Sequence, residues 1–198
     1  YFTPAYEGTT LTFTCNNVKD FGATNESVIK VDYSAKLNEN AVIGATGNPN
    51  EVYLEFSNNP NSNGEGETGN TPKDTVIVFT YKVVVNKVDE KGASLKGAGF
   101  TLYKKLADGS QKEISYVEIN DDQTTVFTFK GLDDGDYVLK ETKTPDGYNT
   151  IADQKFTIKA DHDVNSPDPK LTKLTGDVTT GSIEFTPTLK DGSLDTTV

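Results

Sequence analysis

Val, Ile, Thr, Tyr and Phe alternate with polar residues in short runs along most of the chain, and Gly, Asn, Asp and Pro punctuate the runs at close intervals. A period of two with this punctuation predicts strands. The expected strands are Thr9–Cys15, Ser27–Leu37, Glu51–Asn58, Asp74–Val88, Gly99–Lys105, Gln123–Lys130, Asp136–Thr142, Lys155–Ala160, Gly181–Thr188 and Ser193–Val198. No segment has a convincing amphipathic helical pattern, although Lys36–Val42 could hold a turn. Many short antiparallel strands at this spacing favour sandwiches over barrels or parallel sheets. The expected fold class is all-β, with two tandem immunoglobulin-like β-sandwich domains.

Between Asn59 and Lys73 the chain offers no residue able to anchor a core, so this stretch reads as a loop or linker. Asp74–Val88 is too long for one ordinary strand. Val76–Thr80 is expected to close a first domain and Lys82–Val88 to open a second, which gives domains 1–80 and 81–198. Four strands make only half a sandwich, so the first domain is expected to be incomplete, with its earlier strands upstream of Tyr1.

Composition narrows the function classes. The 198 residues include 19 basic and 30 acidic side chains, a net charge of −11, and every basic residue is lysine. That balance lacks the basic footprint and the bidentate arginines of nucleic-acid binders, so no DNA or RNA partner is expected. No apolar run approaches the ~20 residues of a membrane-spanning helix. The chain contains no methionine, which suggests a processed product or a piece of something longer. A single cysteine, Cys15, excludes an intrachain disulfide; it alternates with Leu11 and Phe13 and is expected to point into a core. A catalytic thiol is the sharper reading of Cys15, weakened because the one histidine, His162, lies in a loop-like acidic stretch.

Two motif matches fail on inspection. Gly64-Glu-Gly-Glu-Thr-Gly69 fits a G-x-G-x-x-G string, but it opens no helix and its glutamates would repel a pyrophosphate. Asp161, Asp163 and Asn165 have the spacing of the first ligands of a calcium loop, yet Ser166 replaces the turn glycine and Thr172 the bidentate glutamate. A solvated acidic loop is the simpler reading. With no nucleophile triad, paired metal-site histidines or P-loop, no turnover enzyme, metal or cofactor is expected.

Two charged residues stand where alternation places the core. Val83, Val85 and Lys87 share one face of their strand, and Tyr137, Leu139 and Glu141 share one face of theirs. Burying an ammonium or a carboxylate costs several kcal/mol unless it is paired or neutralised. Burial favours the uncharged form of each group; a neutral amine is a nucleophile and a protonated carboxyl is a proton carrier. With a carboxamide opposite the amine, the chemistry available is a Lys-Asn isopeptide bond. The alternative is that both residues lie at strand ends and reach water along their stems.

Tyr137-Val-Leu-Lys-Glu141-Thr-Lys-Thr-Pro145-Asp-Gly147-Tyr148 resembles the E-box of the collagen-binding-protein B-type (CnaB) domains of Gram-positive surface proteins and pilins. Lys87-Val-Asp-Glu-Lys-Gly-Ala-Ser-Leu-Lys-Gly-Ala-Gly-Phe-Thr-Leu-Tyr103 resembles the first strand and following turn of the same family. Thr144 departs from the alanine usual before the proline. The resemblance implies that Lys87 is the nucleophile and Glu141 the catalyst of an intramolecular cross-link. In the family an Asn or Asp on the last strand closes the bond. Here Leu194, Thr196 and Val198 share the inward face and Asp195 points the other way, so the acceptor is expected beyond Val198.

Val31-Asp-Tyr-Ser-Ala-Lys-Leu-Asn-Glu-Asn-Ala-Val-Ile-Gly44, followed by Tyr53-Leu-Glu-Phe-Ser-Asn-Asn-Pro60, resembles the latter half of the middle isopeptide domain of sortase-assembled backbone pilins. Asn58, in phase with Val52, Leu54 and Phe56, is the candidate acceptor there; the alternative is that it caps a turn before Pro60. The two resemblances together imply an extracellular, cell-wall-attached pilus shaft subunit, joined covalently to other pilin subunits by sortase, with host surface proteins as further candidate partners. A stalk module of a cell-wall-anchored adhesin or minor pilin is the second reading. A carbohydrate-binding sandwich is disfavoured, since the chain has no Trp and most Tyr and Phe fall on expected core faces.

Overall fold

A computed structural model describes residues 1–59, 66–114, 123–166 and 168–198. Pro60 and the first two residues of the Gly64–Gly69 string lie outside this set. Among the described residues fifteen strands follow one another: β1 (Thr3–Glu7), β2 (Thr10–Thr14), β3 (Asn48–Val52), β4 (Glu55–Ser57), β5 (Thr68–Asn70), β6 (Asp74–Val78), β7 (Tyr81–Asn86), β8 (Gly99–Lys105), β9 (Gln111–Ile114), β10 (Val126–Leu132), β11 (Gly135–Lys143), β12 (Gln154–His162), β13 (Leu171–Thr180), β14 (Thr186–Thr188) and β15 (Ser193–Thr197). A single 3-10 turn, Val18–Phe21, is the one helical element among the described residues. The chain divides into two compact units, Tyr1–Lys36 with Glu51–Thr75 and Leu37–Asn50 with Val76–Val198.

The first unit is built from two-stranded ribbons. β1 pairs antiparallel with β2 and β4 with β5. The 3-10 turn is capped by Asn17, whose side chain accepts from the Lys19 N–H, and closed by Gly22 in the left-handed region. None of its described residues is buried. Leu11, Phe13, Val52, Leu54 and Phe56 are all exposed. Ser27–Leu37, read from alternation as a strand, has no strand structure: alternation fixes which side chains share a face but supplies no partner for the backbone, and an unpaired strand is unstable in water. Cys15 is half-buried just past β2 and belongs to this unit.

The second unit is a two-layer sandwich. One sheet has the order β10-β7-β15-β14 and the other β13-β12-β11-β8-β9. From the first sheet Tyr81, Val83, Val85, Phe127, Phe129 and Leu194 turn inward; from the second, Phe100, Leu102, Tyr137, Leu139, Phe156, Ile158 and Leu174 meet them. Such interleaved apolar faces are what drive two sheets together. β7 and β15, the first and last strands of the sandwich, are parallel neighbours, with Val83 opposite Leu194 and Val85 opposite Thr196.

Residues 37–50 belong to this second unit as a strap. The Asn48 side chain accepts from the Val42 N–H at 2.7 Å and donates to the carbonyls of Val42 and Val78. Gly44 N–H donates to Thr80 O, and Ala45 N–H to Lys190 O. A side chain at Gly44, where φ is +99°, would lie 2.4 Å from the Lys190 carbonyl oxygen, so only glycine permits this approach.

Candidate functional site

Lys87 directly follows β7 and continues its inward alternation, while Glu141 lies within β11 opposite Phe100 on β8. Backbone bonds fix the lysine: its N–H donates to Thr125 O, and its carbonyl accepts from Leu95 N–H. The two side chains meet inside the sandwich, with Lys87 Nζ 3.1 Å from Glu141 Oε1 and side-chain exposures of 6% and 0%. Both are buried, an arrangement unlike the strand-end placement that would let their stems reach solvent. The edge-to-face pair Phe100 and Phe127 lies beside them, with Lys87 Nζ 6.0 Å from the Phe100 ring centre.

The two glutamate oxygens are not equivalent. Oε2 accepts from the Ile151 N–H at 2.9 Å. Oε1 faces Lys87 and has no hydrogen bond of regular geometry among the described residues. With Oε2 engaged by the Ile151 N–H, Oε1 is the oxygen turned to the lysine. The arrangement is a buried lysine beside a buried glutamate whose Oε1 points at it.

The end of β15 lies alongside. Val198 N–H donates to Asn86 O and Val88 N–H to Val198 O, so Val198 stands level with Lys87 on the neighbouring strand. Leu194 and Thr196 are buried on the inward face, and Thr196 Oγ1 has no hydrogen-bond partner among the described residues. Asp195, opposite Val84, accepts from Ser193 Oγ. Its outward direction agrees with the alternation of the strand.

Asn58 is not brought into such a setting. It follows β4 in the first unit, is exposed, and donates its backbone N–H to Glu67 O at 3.3 Å. The run Val52–Asn58 was expected to be one strand with an inward face, but it breaks between β3 and β4, and Val52, Leu54 and Phe56 are exposed with it. This placement fits the turn role.

His162 is a further departure from expectation. It ends strand β12, where its Nε2 lies 2.9 Å from the Tyr81 hydroxyl and its ring packs on Phe79. The bulge between Asp161 and His162 changes which face the side chain takes, and a local pattern of polar residues does not reveal that. Close by, the Tyr137 hydroxyl donates to Asp133, whose carboxylate also pairs with Lys104. Burial raises the Asp133 carboxyl, but the hydrogen bonds from Lys104 and Tyr137 outweigh it and hold the group below its ordinary value. For Asp134, burial raises the carboxyl, His162 opposes the shift and Asp133 adds to it, for a net upward displacement.

Residues 81–172 match the family model SpaA, described as a prealbumin-like fold domain. The trypsin-resistant surface T6 protein of Streptococcus pyogenes serotype M6 is 34% identical over 130 residues, which cover 60% of this chain and 23% of that protein. The chain thus spans less than a quarter of this curated relative. Among solved structures, the T6 backbone pilin of serotype M6 Streptococcus pyogenes is similar at 20% identity and a TM-score of 0.47, over 81% of this chain and 45% of that one. The pilus 2b backbone protein of group B streptococcus is similar at 20% identity and a TM-score of 0.39, over 66% and 46% of the two chains.

Proposed function

We propose, from the match of residues 81–172 to the SpaA prealbumin-like fold domain, that this chain is part of a Gram-positive pilus backbone subunit whose second unit is stapled by a self-formed isopeptide bond. The observation that carries the reading is the buried pairing of Lys87 Nζ with Glu141 Oε1 beside the terminal strand of the sandwich. Proton transfer along the 3.1 Å contact converts the ion pair into a neutral amine and a carboxylic acid. The amine attacks the side-chain carbonyl carbon of an asparagine while Oε1–H donates to the carbonyl oxygen. Collapse of the adduct breaks the C–NH2 bond, the amine proton passes through Glu141 to the departing nitrogen, and ammonia leaves. One amide C–N bond is exchanged for another, and Glu141 ends as the carboxylic acid formed in the first transfer; it returns to the carboxylate when that last proton leaves, carried off by the ammonia as ammonium.

The fold gives such a bond mechanical value. Parallel β7 and β15 are pulled in opposite directions by tension applied at the start of one and the end of the other, so their ladder is loaded in shear. A covalent link at the Lys87 end would carry that tension past the hydrogen bonds altogether. Closing a loop of ~100 residues would also remove about 4–5 kcal/mol of unfolded-state entropy. Polymerisation with other subunits through sortase, and attachment to the cell wall, follow from the same reading.

Intact mass of the full-length natural protein tests it. Each bond lowers the mass by about 17 Da, the ammonia expelled. The expected result is a deficit that Glu141→Ala and Lys87→Ala each reduce by one bond. An unshifted mass in the full-length protein would reduce Lys87 and Glu141 to a buried ion pair.

A further inference from the structure

The polar contacts that hold Glu141 continue past Ile151 into the last part of the domain. Ile151 lies in the connection between β11 and β12, and the next carbonyl, that of Ala152, accepts a hydrogen bond at 2.7 Å from Nε2 of Gln154. Gln154 is the first residue of β12, opposite Leu139 on β11, and is 3% exposed. Its other end is also engaged: Oε1 accepts from the N–H of Ser182 at 2.8 Å and of Ile183 at 3.3 Å. Those two residues lie between β13 and β14, in the connection that leads through β14 into β15, the strand beside Lys87.

Gly181 completes the fit. A Cβ at this position would lie 1.9 Å from Gln154 Oε1, and its φ of +113° is one that side chains disfavour. The carboxamide therefore sits in a slot made by backbone on both sides: a carbonyl from the segment that anchors Glu141, and two N–H groups from the segment that feeds the last strand. Only a side chain that donates at one end and accepts at the other satisfies both. Burial makes each unmade bond costly.

We propose that Gln154 is a positioning residue for Glu141, tying the placement of the Ile151 N–H to the seating of residues 181–183. The cross-linking pair is then aligned only when the segment leading into the terminal strand has docked, so the bond forms in the folded domain and not in a partly folded one. This inference rests on the isopeptide reading for its consequence, but its structural content, the control of the Ile151-to-Glu141 contact by Gln154, stands on the bonds just described.

The test uses the full-length natural protein with Gln154→Glu, Gln154→Leu and Gly181→Ala. Three quantities are followed: the rate of the 17 Da loss after brief synthesis, amide hydrogen exchange at Ile151, Ser182 and Ile183, and the 13C shift of the Glu141 carboxyl group. Gln154→Glu keeps the acceptor for Ser182 and Ile183 but, ionised, cannot donate to Ala152. It is expected to preserve exchange protection at 182–183, speed exchange at Ile151, move the Glu141 carboxyl signal, and slow bond formation roughly 10–100-fold, the scale of a small misplacement of a reacting group. Gln154→Leu and Gly181→Ala are expected to speed exchange in both segments and to slow the bond at least as much.

Wild-type bond-forming rates in Gln154→Glu, with Ile151 exchange and the Glu141 signal unchanged in a folded protein, would overturn the proposal and leave Gln154 a structural clamp. Should the leucine variant fail to fold, the glutamate variant still decides. Should the wild type lose no ammonia, the isopeptide reading fails, while exchange at Ile151 and the Glu141 signal still decide whether Gln154 positions the carboxyl group.

Discussion

At the scale of single residues, the proposed cross-linking chemistry rests on how unequally Glu141 uses its two oxygens. Oε2 is spoken for by the Ile151 N–H, and Oε1 is left for Lys87. Glu141→Gln keeps the size of the side chain but removes the exchangeable carboxyl proton; it is expected to abolish the mass deficit of the Lys87 bond while leaving the fold intact by circular dichroism. In chains without the bond, Glu141→Ala leaves a buried ammonium unpaired and is expected to cost about 3–5 kcal/mol in urea unfolding, whereas Lys87→Met with Glu141→Leu together should cost far less. Asp134 offers a pH prediction. Its folded-state carboxyl is displaced upward, so the folded protein binds that proton more tightly than the unfolded chain does. Its contribution is most favourable at low pH and is lost as pH rises through the ordinary carboxylate range to the raised value. Asp134→Asn should therefore stabilise the protein at pH 7, with the advantage fading below about pH 4, as read by urea midpoints at the two pH values.

Among the elements, most strands of the sandwich were legible from alternation, whereas the paired strands Thr3–Glu7, Thr68–Asn70 and Gln111–Ile114 were not. Gly99–Lys105 has the expected bounds, and Ser193–Thr197, Gly135–Lys143 and Gln154–His162 lie within a few residues of them. β13 was not foreseen. Leu171 and Leu174 are three apart, a spacing that alternation does not give, and Gly176 interrupts the run where Phe185 lies so close that a Cβ would be 2.4 Å from its ring. The expected Gly181–Thr188 strand shrinks to Thr186–Thr188, and Ser182 and Ile183 turn their backbone N–H groups to Gln154 instead of to a neighbouring strand. The strap 37–50 could not be read from its sequence either, since its attachment is made of backbone bonds and one asparagine. Asn48→Ala removes three hydrogen bonds and is expected to cost about 1–3 kcal/mol, measurable as a lower urea midpoint of the second unit.

For the molecule as a whole, burial is confined to the second unit among the described residues, and resistance to local opening should follow it. Trypsin is expected to cut after Lys19, Lys30, Lys36 and Lys73 before any lysine of β7–β15, and native mass spectrometry should find the 37–73 piece still bound to the remainder. Early cuts within the sandwich would contradict this division. The sequence by itself determined the all-β class, the inward phase of β7, β11 and β15, and the nomination of Lys87 and Glu141, because a period of two assigns a face to each side chain without reference to anything distant. Only the tertiary structure decided that the two charged groups meet at 3.1 Å, that β7 and β15 are parallel neighbours, that Asn58 is exposed, and that Gln154 links the Ala152 carbonyl to the N–H groups of Ser182 and Ile183. Each of these depends on pairings between segments tens of residues apart, set by which apolar faces bury one another and by which backbone groups remain to be satisfied, and a local pattern carries neither.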